Sequence, residues 1–320
     1  MRKSLFTSLY FAACALLTSH VYAEQIKPKL VTIASGSTQG IYFQVASEIC
    51  RLTSASKAEH GYRCGAIPTE GSEENLTLLL AGEVDFAIVQ SDTLYFAAQQ
   101  YPSQLQAVLA THAEPLTIVT TPDAEIQRAM DLNGKILNIG GQGSGTNTSL
   151  KRLLAVPKWD QQPQVTEDNN WEAFENLCLG EIDAYAAIIG HPNRLVNRTS
   201  KRCDIQFVSV NSQALADSEG NLPPYLMPGH IPGRLYRGNK EKTPTISFSA
   251  NLVTRKDVDP AYVKAVAKAI FGQEKSFGKN ITAYANVFRS IETMTGDAVV
   301  IPLHPQVEQL KATAQAAKAD

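Results

Sequence analysis

Two short loops concentrate the residue types that bind anions: Ser35-Gly36-Ser37-Thr38-Gln39-Gly40 and Gly140-Gly141-Gln142-Gly143-Ser144-Gly145-Thr146. Glycine lets each loop turn tightly, and a helix that starts just after it presents backbone N–H groups with no intrahelical partner. Hydroxyls at Ser37, Thr38, Ser144, Thr146 and Thr148 add hydrogen bonds without adding charge. A helix end contributes about 0.3 to 1 kcal/mol toward an anion, up to about 2 when partly buried, so one loop is too weak and two acting together suffice. The same composition also serves strand-to-helix turns that hold no ligand, so either loop alone is as consistent with geometry as with binding. Further polar groups stand at the ends of two apolar runs, Gln90-Ser91-Asp92 and Gly190-His191-Pro192-Asn193. Gln90 and Ser91 are placed to orient a ligand, while Asp92 is better read as the cap of a following helix. His191 either donates to a carboxylate or bonds locally, with ligand proximity the favoured reading. Tyr42 offers a hydroxyl and a ring to a ligand, or belongs to the core.

Other chemistries are poorly supported. A secreted serine hydrolase would pair Ser144 with His191 and an acid such as Asp92, yet Gln142 and Thr146 stand where a nucleophile elbow carries glycine. No catalytic residue is assigned, and the hydrolase is the weakest alternative. The histidines are scattered without the paired spacing of a metal site, so no metal is expected. Neither the dinucleotide fingerprint nor the Walker spacing is present, so no cofactor is expected. With 29 Lys and Arg against 31 Asp and Glu, the chain lacks the basic excess that nucleic acid requires. The Asn-x-Ser/Thr triplets at Asn75, Asn147, Asn197 and Asn280 read as ordinary surface or loop residues.

The surrounding pattern says what must position these residues. Arg2 and Lys3 precede an uncharged run from Ser4 to Ala23, the pattern of a cleaved secretory signal peptide over residues 1–23. Four cysteines follow it, and an even count in an exported chain implies disulfides. They fall into a near pair in each half, Cys50 with Cys64 and Cys178 with Cys203, each closure contributing about 3 kcal/mol on a loop-entropy basis.

Leu30–Ala34 reads as a strand, the first Gly/Ser loop follows, and Tyr42, Val45, Ala46, Ile49 and Leu52 recur at helical steps. Ser72 is expected to cap a second helix, with Glu73 and Glu74 in its first turn, Gly82 ending it and a strand over Val84–Val89 beyond. The second half repeats the order with a strand at Ile136–Ile139, a loop, a helix carrying Leu150, Leu153 and Leu154, and a strand over Ala184–Ile189. Even the wording repeats. Glu74-Asn75-Leu76 leads to Gly82-Glu83-Val84-Asp85, and Glu175-Asn176-Leu177 leads to Gly180-Glu181-Ile182-Asp183.

Alternating strands and helices imply α/β lobes with largely parallel sheets, whose ligands collect at the carboxyl edge of the strands. Segments 116–121 and 245–254 are the expected crossings, so residues 24–116 with 250–320 form one lobe and 117–249 the other. Residues 218–242, dense in Pro, Gly and charge, read as a surface excursion.

These residues together resemble the TAXI solute receptors of TRAP transporters. The resemblance rests on Ala34 to Tyr42, Gly71 to Leu76, Ala81 to Asp92 and Gly143 to Thr146, with a further likeness at Ile231 to Gly238. It implies the type II periplasmic binding protein fold and a monomeric periplasmic receptor. Such a receptor catalyses nothing and hands a small carboxylate, such as glutamate, glutamine or 2-oxoglutarate, to TRAP membrane subunits. By position Ser37, Gln39, Tyr42, Gln90, Ser91, Ser144, Thr146 and His191 would line its pocket. Gln39 replaces the family's glycine, placing an extra side chain in the first loop. An ABC importer or a sensor kinase is the alternative recipient.

Overall fold

The structure is a computed structural model that describes residues 29–156 and 159–319. The signal peptide expected over 1–23 lies outside the described residues.

The first half of the chain runs β1 (Lys29–Ala34), α1 (Ile41–Ala55), α2 (Lys57–His60), β2 (Tyr62–Ile67), α3 (Ser72–Ala81), β3 (Phe86–Gln90) and α4 (Ser91–Gln100) before the long strand β4 (Leu105–Thr120). The second repeats the scheme with β5 (Ile136–Asn138), α5 (Gly145–Leu154), β6 (Gln164–Thr166), α6 (Asn170–Leu179), β7 (Ala184–Ile188) and α7 (Arg194–Arg202). Then come β8 (Gln206–Phe207), β9 (Met227–Ile231), the second long strand β10 (Thr243–Arg255), α8 (Pro260–Phe271), α9 (Ile291–Met294) and α10 (Pro305–Ala319).

Strand order is β2-β1-β3-β10-β4-β7-β5-β6. The order reads almost as its own mirror. β2, β1 and β3 are parallel with β10 antiparallel beside them, and β6, β5 and β7 are parallel with β4 antiparallel beside them. Helices cover both faces, so β3 and β7 are buried at every residue. The α8 residues Val263, Val266, Ala267 and Ile270 return to the first core, against Val31, Val45 and Ile49. β4 and β10 pair with each other from Ser247 opposite Pro115 to Arg255 opposite Leu105, and β4 continues from Leu116 onward against β7. These two strands carry the chain between the lobes. β10 falls close to the expected 245–254, whereas β4 begins at Leu105, well before the expected 116–121, because its first half pairs with β10.

The repeated Gly-Glu-apolar-Asp wording has a structural cause. Gly82 and Gly180 end α3 and α6 in left-handed conformation, at φ 78° and 76°. Asp85 then accepts the backbone N–H of Thr32 at 2.8 Å, and Asp183 that of Ile136 at 2.7 Å. Thr254 donates its hydroxyl to the Asp85 carbonyl, as Thr120 does to that of Asp183. Each aspartate pins a neighbouring strand, β1 at Thr32 and β5 at its first residue, and β3 begins at Phe86 rather than at Val84.

Other local expectations need correction. Ser72 does not cap α3; Gly71 does, and Ser72 Oγ accepts the Gln90 N–H. Asn75 and Asn147 are buried rather than exposed. Asn75 Nδ2 donates to the Ser35 and Ile88 carbonyls, and Asn147 Nδ2 to that of Gly140, so each fastens a loop to its lobe. Within residues 218–242, β9 pairs with β10 and Tyr236 is buried. Disulfides join Cys50 to Cys64 and Cys178 to Cys203. Among the described residues no helix is long and apolar enough to cross a membrane.

Candidate functional site

The carboxyl ends of β1, β3 and β7 and the loop before α5 face one another across a cleft of about 220 Å³. That size suits a small metabolite. The residues that precede five helices, Gly40, Gly71, Gln90, Ser144 and Asn193, all line it. Ser144 and Asn193 cap α5 and α7 with their side chains, whereas α1, α3 and α4 carry no side-chain cap. Two of those three uncapped positions are glycine, which leaves first-turn N–H groups available to an anion.

The side chains named from sequence divide in two. Ser37, Gln39, Tyr42, Gln90, Ser144 and Thr146 line the cleft. Ser37 and Gln39 are exposed at its rim. Thr146 Oγ1 accepts the Ile188 N–H at 3.1 Å and keeps its own proton to donate. Ser144 is more constrained, since its hydroxyl donates to the Gly141 carbonyl and accepts from Asn147. Gln90 is 2 % exposed and directs Nε2 to Asp92 and Ser149. Tyr42 donates to Glu114 at 2.8 Å, and burial, with Glu114 beside it, holds its hydroxyl well above the usual tyrosine range.

Ser91 and His191 stand away from the cleft lining. Ser91 Oγ donates to the Tyr225 carbonyl and accepts from Ser249, its hydroxyl spent on a link between segments. His191 is fully buried, and burial lowers its pKa to about 4. Thr117 Oγ1 donates to the Pro115 carbonyl, so it accepts from His191 Nε2 at 2.9 Å, leaving Nδ1 to accept from Tyr236 at 2.6 Å. The Tyr236 oxygen also takes the Asn193 N–H at 2.7 Å. His191 therefore offers no charge to a ligand and instead holds the start of α7. Ser144 and His191, each committed elsewhere, make no nucleophile–base pair.

Asp92 is not a cap. It receives Ser149 Oγ at 2.5 Å and Arg152 Nη1 at 3.1 Å, joining α4 of one lobe to α5 of the other. Arg152 also lies 4.4 Å over the Phe96 ring. Gly145 sits at the same contact, where a Cβ would meet Ser72 Oγ at 3.0 Å and Gln90 Oε1 at 3.2 Å.

Among the lining residues that escaped the sequence reading are Arg194, Trp171, Glu114 and Glu70. Arg194 is exposed, opens α7 and forms no ion pair among the described residues. A cation in a helix's first turn opposes the helix dipole, so its placement answers to something other than α7 itself. Among the described residues no group of three or more His, Cys, Asp or Glu is placed to hold a metal ion. A second cavity of about 550 Å³ in the second lobe is lined chiefly by Leu, Ile and Val, without the converging polar groups of the cleft.

Residues 33–309 match the NMT1-like family. Among solved structures the chain resembles the periplasmic aliphatic sulphonate binding protein SsuA from Escherichia coli, at 14 % identity and a TM-score of 0.51, over 91 % of each chain. It also resembles a putative L-cystine ABC transporter from Listeria monocytogenes, at 14 % identity and a TM-score of 0.53, covering 82 % of this chain and 99 % of that one. At such identities the likeness concerns the fold, which is that of periplasmic binding proteins.

Proposed function

On the premise that the chain belongs to the NMT1-like family, we propose that it is a periplasmic solute receptor that takes a small carboxylate between its two lobes. The lobes are residues 24–116 with 250–320 and residues 117–249, and the signal peptide of residues 1–23 exports the chain. The observation that carries this reading is the convergence of five helix N-termini with the unpaired Arg194 on one small cleft. Ser37, Gln39, Gln90, Ser144 and Thr146 add neutral hydrogen-bonding groups around it. The proposed role is capture rather than turnover, in keeping with the fold likeness to periplasmic binding proteins.

A thermal-shift panel of glutamate, glutamine, 2-oxoglutarate and C4 dicarboxylates tests the reading. A true ligand at 100 times its Kd raises stability by about 2.7 kcal/mol. Arg194→Ala should weaken that ligand by about tenfold or more, the size of a lost charge-assisted hydrogen bond. A flat response across the panel would overturn the carboxylate assignment.

The resemblance in the loop motifs favours delivery to TRAP membrane subunits, by a receptor acting as a monomer. A second reading, delivery to an ABC importer, draws on the fold likeness to SsuA. A neighbouring gene for TRAP membrane subunits supports the first; one for an ABC ATPase supports the second.

A further inference from the structure

Glu114 lies where β4 passes from one lobe to the other, at the floor of the cleft, and it is only 4 % exposed. A buried carboxylate is costly unless its oxygens are well supplied with donors or a cation. Glu114 is supplied with little. Oε2 accepts one hydrogen bond, from the Tyr42 hydroxyl at 2.8 Å. The nearest cation candidate is His112, whose Nε2 stands 3.6 Å from Oε1, outside hydrogen-bonding range and without a partner of its own. Nor is His112 oriented as a neutral donor toward it. Thr111 Oγ1 gives its proton to the Ala250 carbonyl at 3.0 Å, so His112 Nδ1 donates to Thr111 at 2.8 Å, and a neutral ring turns a bare nitrogen toward the carboxylate.

The charged side chains lining the cleft are Glu70, Glu114 and Arg194, an excess of one negative charge. A purely anionic dicarboxylate meets helix N-termini and Arg194 at one end and an undersupplied carboxylate at the floor. An ammonium group resolves that mismatch.

We propose that Glu114 reads an ammonium group, so that the cleft selects zwitterionic solutes, of which α-amino acids are the simplest, over their amine-free counterparts. This rests on the carboxylate-capture reading above, with Tyr42 positioning Glu114 rather than touching the carboxylate.

Isothermal titration calorimetry of the mature protein with matched pairs tests it. The pairs are L-glutamate with 2-oxoglutarate and glutarate, L-aspartate with succinate, and L-leucine with 4-methyl-2-oxopentanoate. The amine-bearing member of a bound pair should be favoured by about tenfold to a hundredfold, the range of a hydrogen bond to a charged group. Glu114→Gln should shrink that ratio to within about threefold, a neutral amide retaining only the weaker bond. If the variant does not fold, the wild-type ratios alone decide. Amine-free members binding as tightly as their partners overturn the inference and leave carboxylate capture standing; a protonated His112 supplying the charge from within produces that result. A full ratio surviving in folded Glu114→Gln also overturns it. No binding by any member of any pair overturns carboxylate capture itself.

Discussion

The buried His191 shows how a polar residue at a strand end can serve the site without touching it. Both ring nitrogens are spent, on Thr117 and Tyr236, and the Tyr236 oxygen passes the link to the Asn193 backbone. Its protonation carries a stability consequence. The unfolded imidazole takes up a proton near pH 6.5, the folded one only near 4. Between those values the unfolded chain holds the extra proton, so this contribution is intact above about pH 6.5 and is lost progressively as pH falls toward 4. The loss amounts to about 3 kcal/mol over the window. Burial shifts His304 in the same direction. Chemical denaturation at pH 7, 6 and 5 should show a steep decline in the wild type and a shallower one in His191→Gln; parallel slopes would show that His191 does not carry it. Ser91, like His191, ended an apolar run in the sequence, and nothing local distinguished it from Gln90. The side chains differ because Gln90 ends β3 while Ser91 opens α4, and Tyr225, more than a hundred positions away, meets the second of them.

Among elements, α4 and α5 make a contact from one lobe to the other beside the cleft. Asp92 receives both Ser149 and Arg152, and Arg152 is further held over Phe96. The arginine is 39 % exposed and its partner 2 %, so solvent screens the pair from one side only. A pair so placed contributes up to about 1 kcal/mol, or roughly fivefold in an equilibrium constant. Arg152→Met, which keeps much of the packing on Phe96, should therefore speed ligand dissociation by about that factor with association little changed. Stopped-flow fluorescence reads both rates, and an unaltered dissociation rate would show that this contact does not help retain the ligand. Sequence made α5 visible through Leu150, Leu153 and Leu154 and α4 only as the helix after Asp92, whose assigned cap followed local preference. Gln90 took that place, and Asp92 was left to reach the other lobe.

At the scale of the molecule, two copies of one α/β scheme are joined by β4 and β10, and the cleft forms because both copies turn the carboxyl ends of their strands toward each other. Several features were present in the chain order itself. The repeated strand, Gly/Ser loop and helix, the Gly-Glu-apolar-Asp wording and the near pairing of cysteines are local, since each depends on residues within a few turns of one another. Composition likewise argued against nucleic acid without reference to shape. Tertiary structure alone decided which polar groups face the cleft. Glu114 is one acid in a mostly apolar strand and Arg194 one of many surface cations, and only the crossing of β4 at the cleft floor and the docking of α7 on its wall bring them to the same cavity. Sequence periodicity encodes which face of an element is buried, because burial repeats along the chain. It does not encode which side chains converge from separate elements, because that depends on packing distances set by the whole fold.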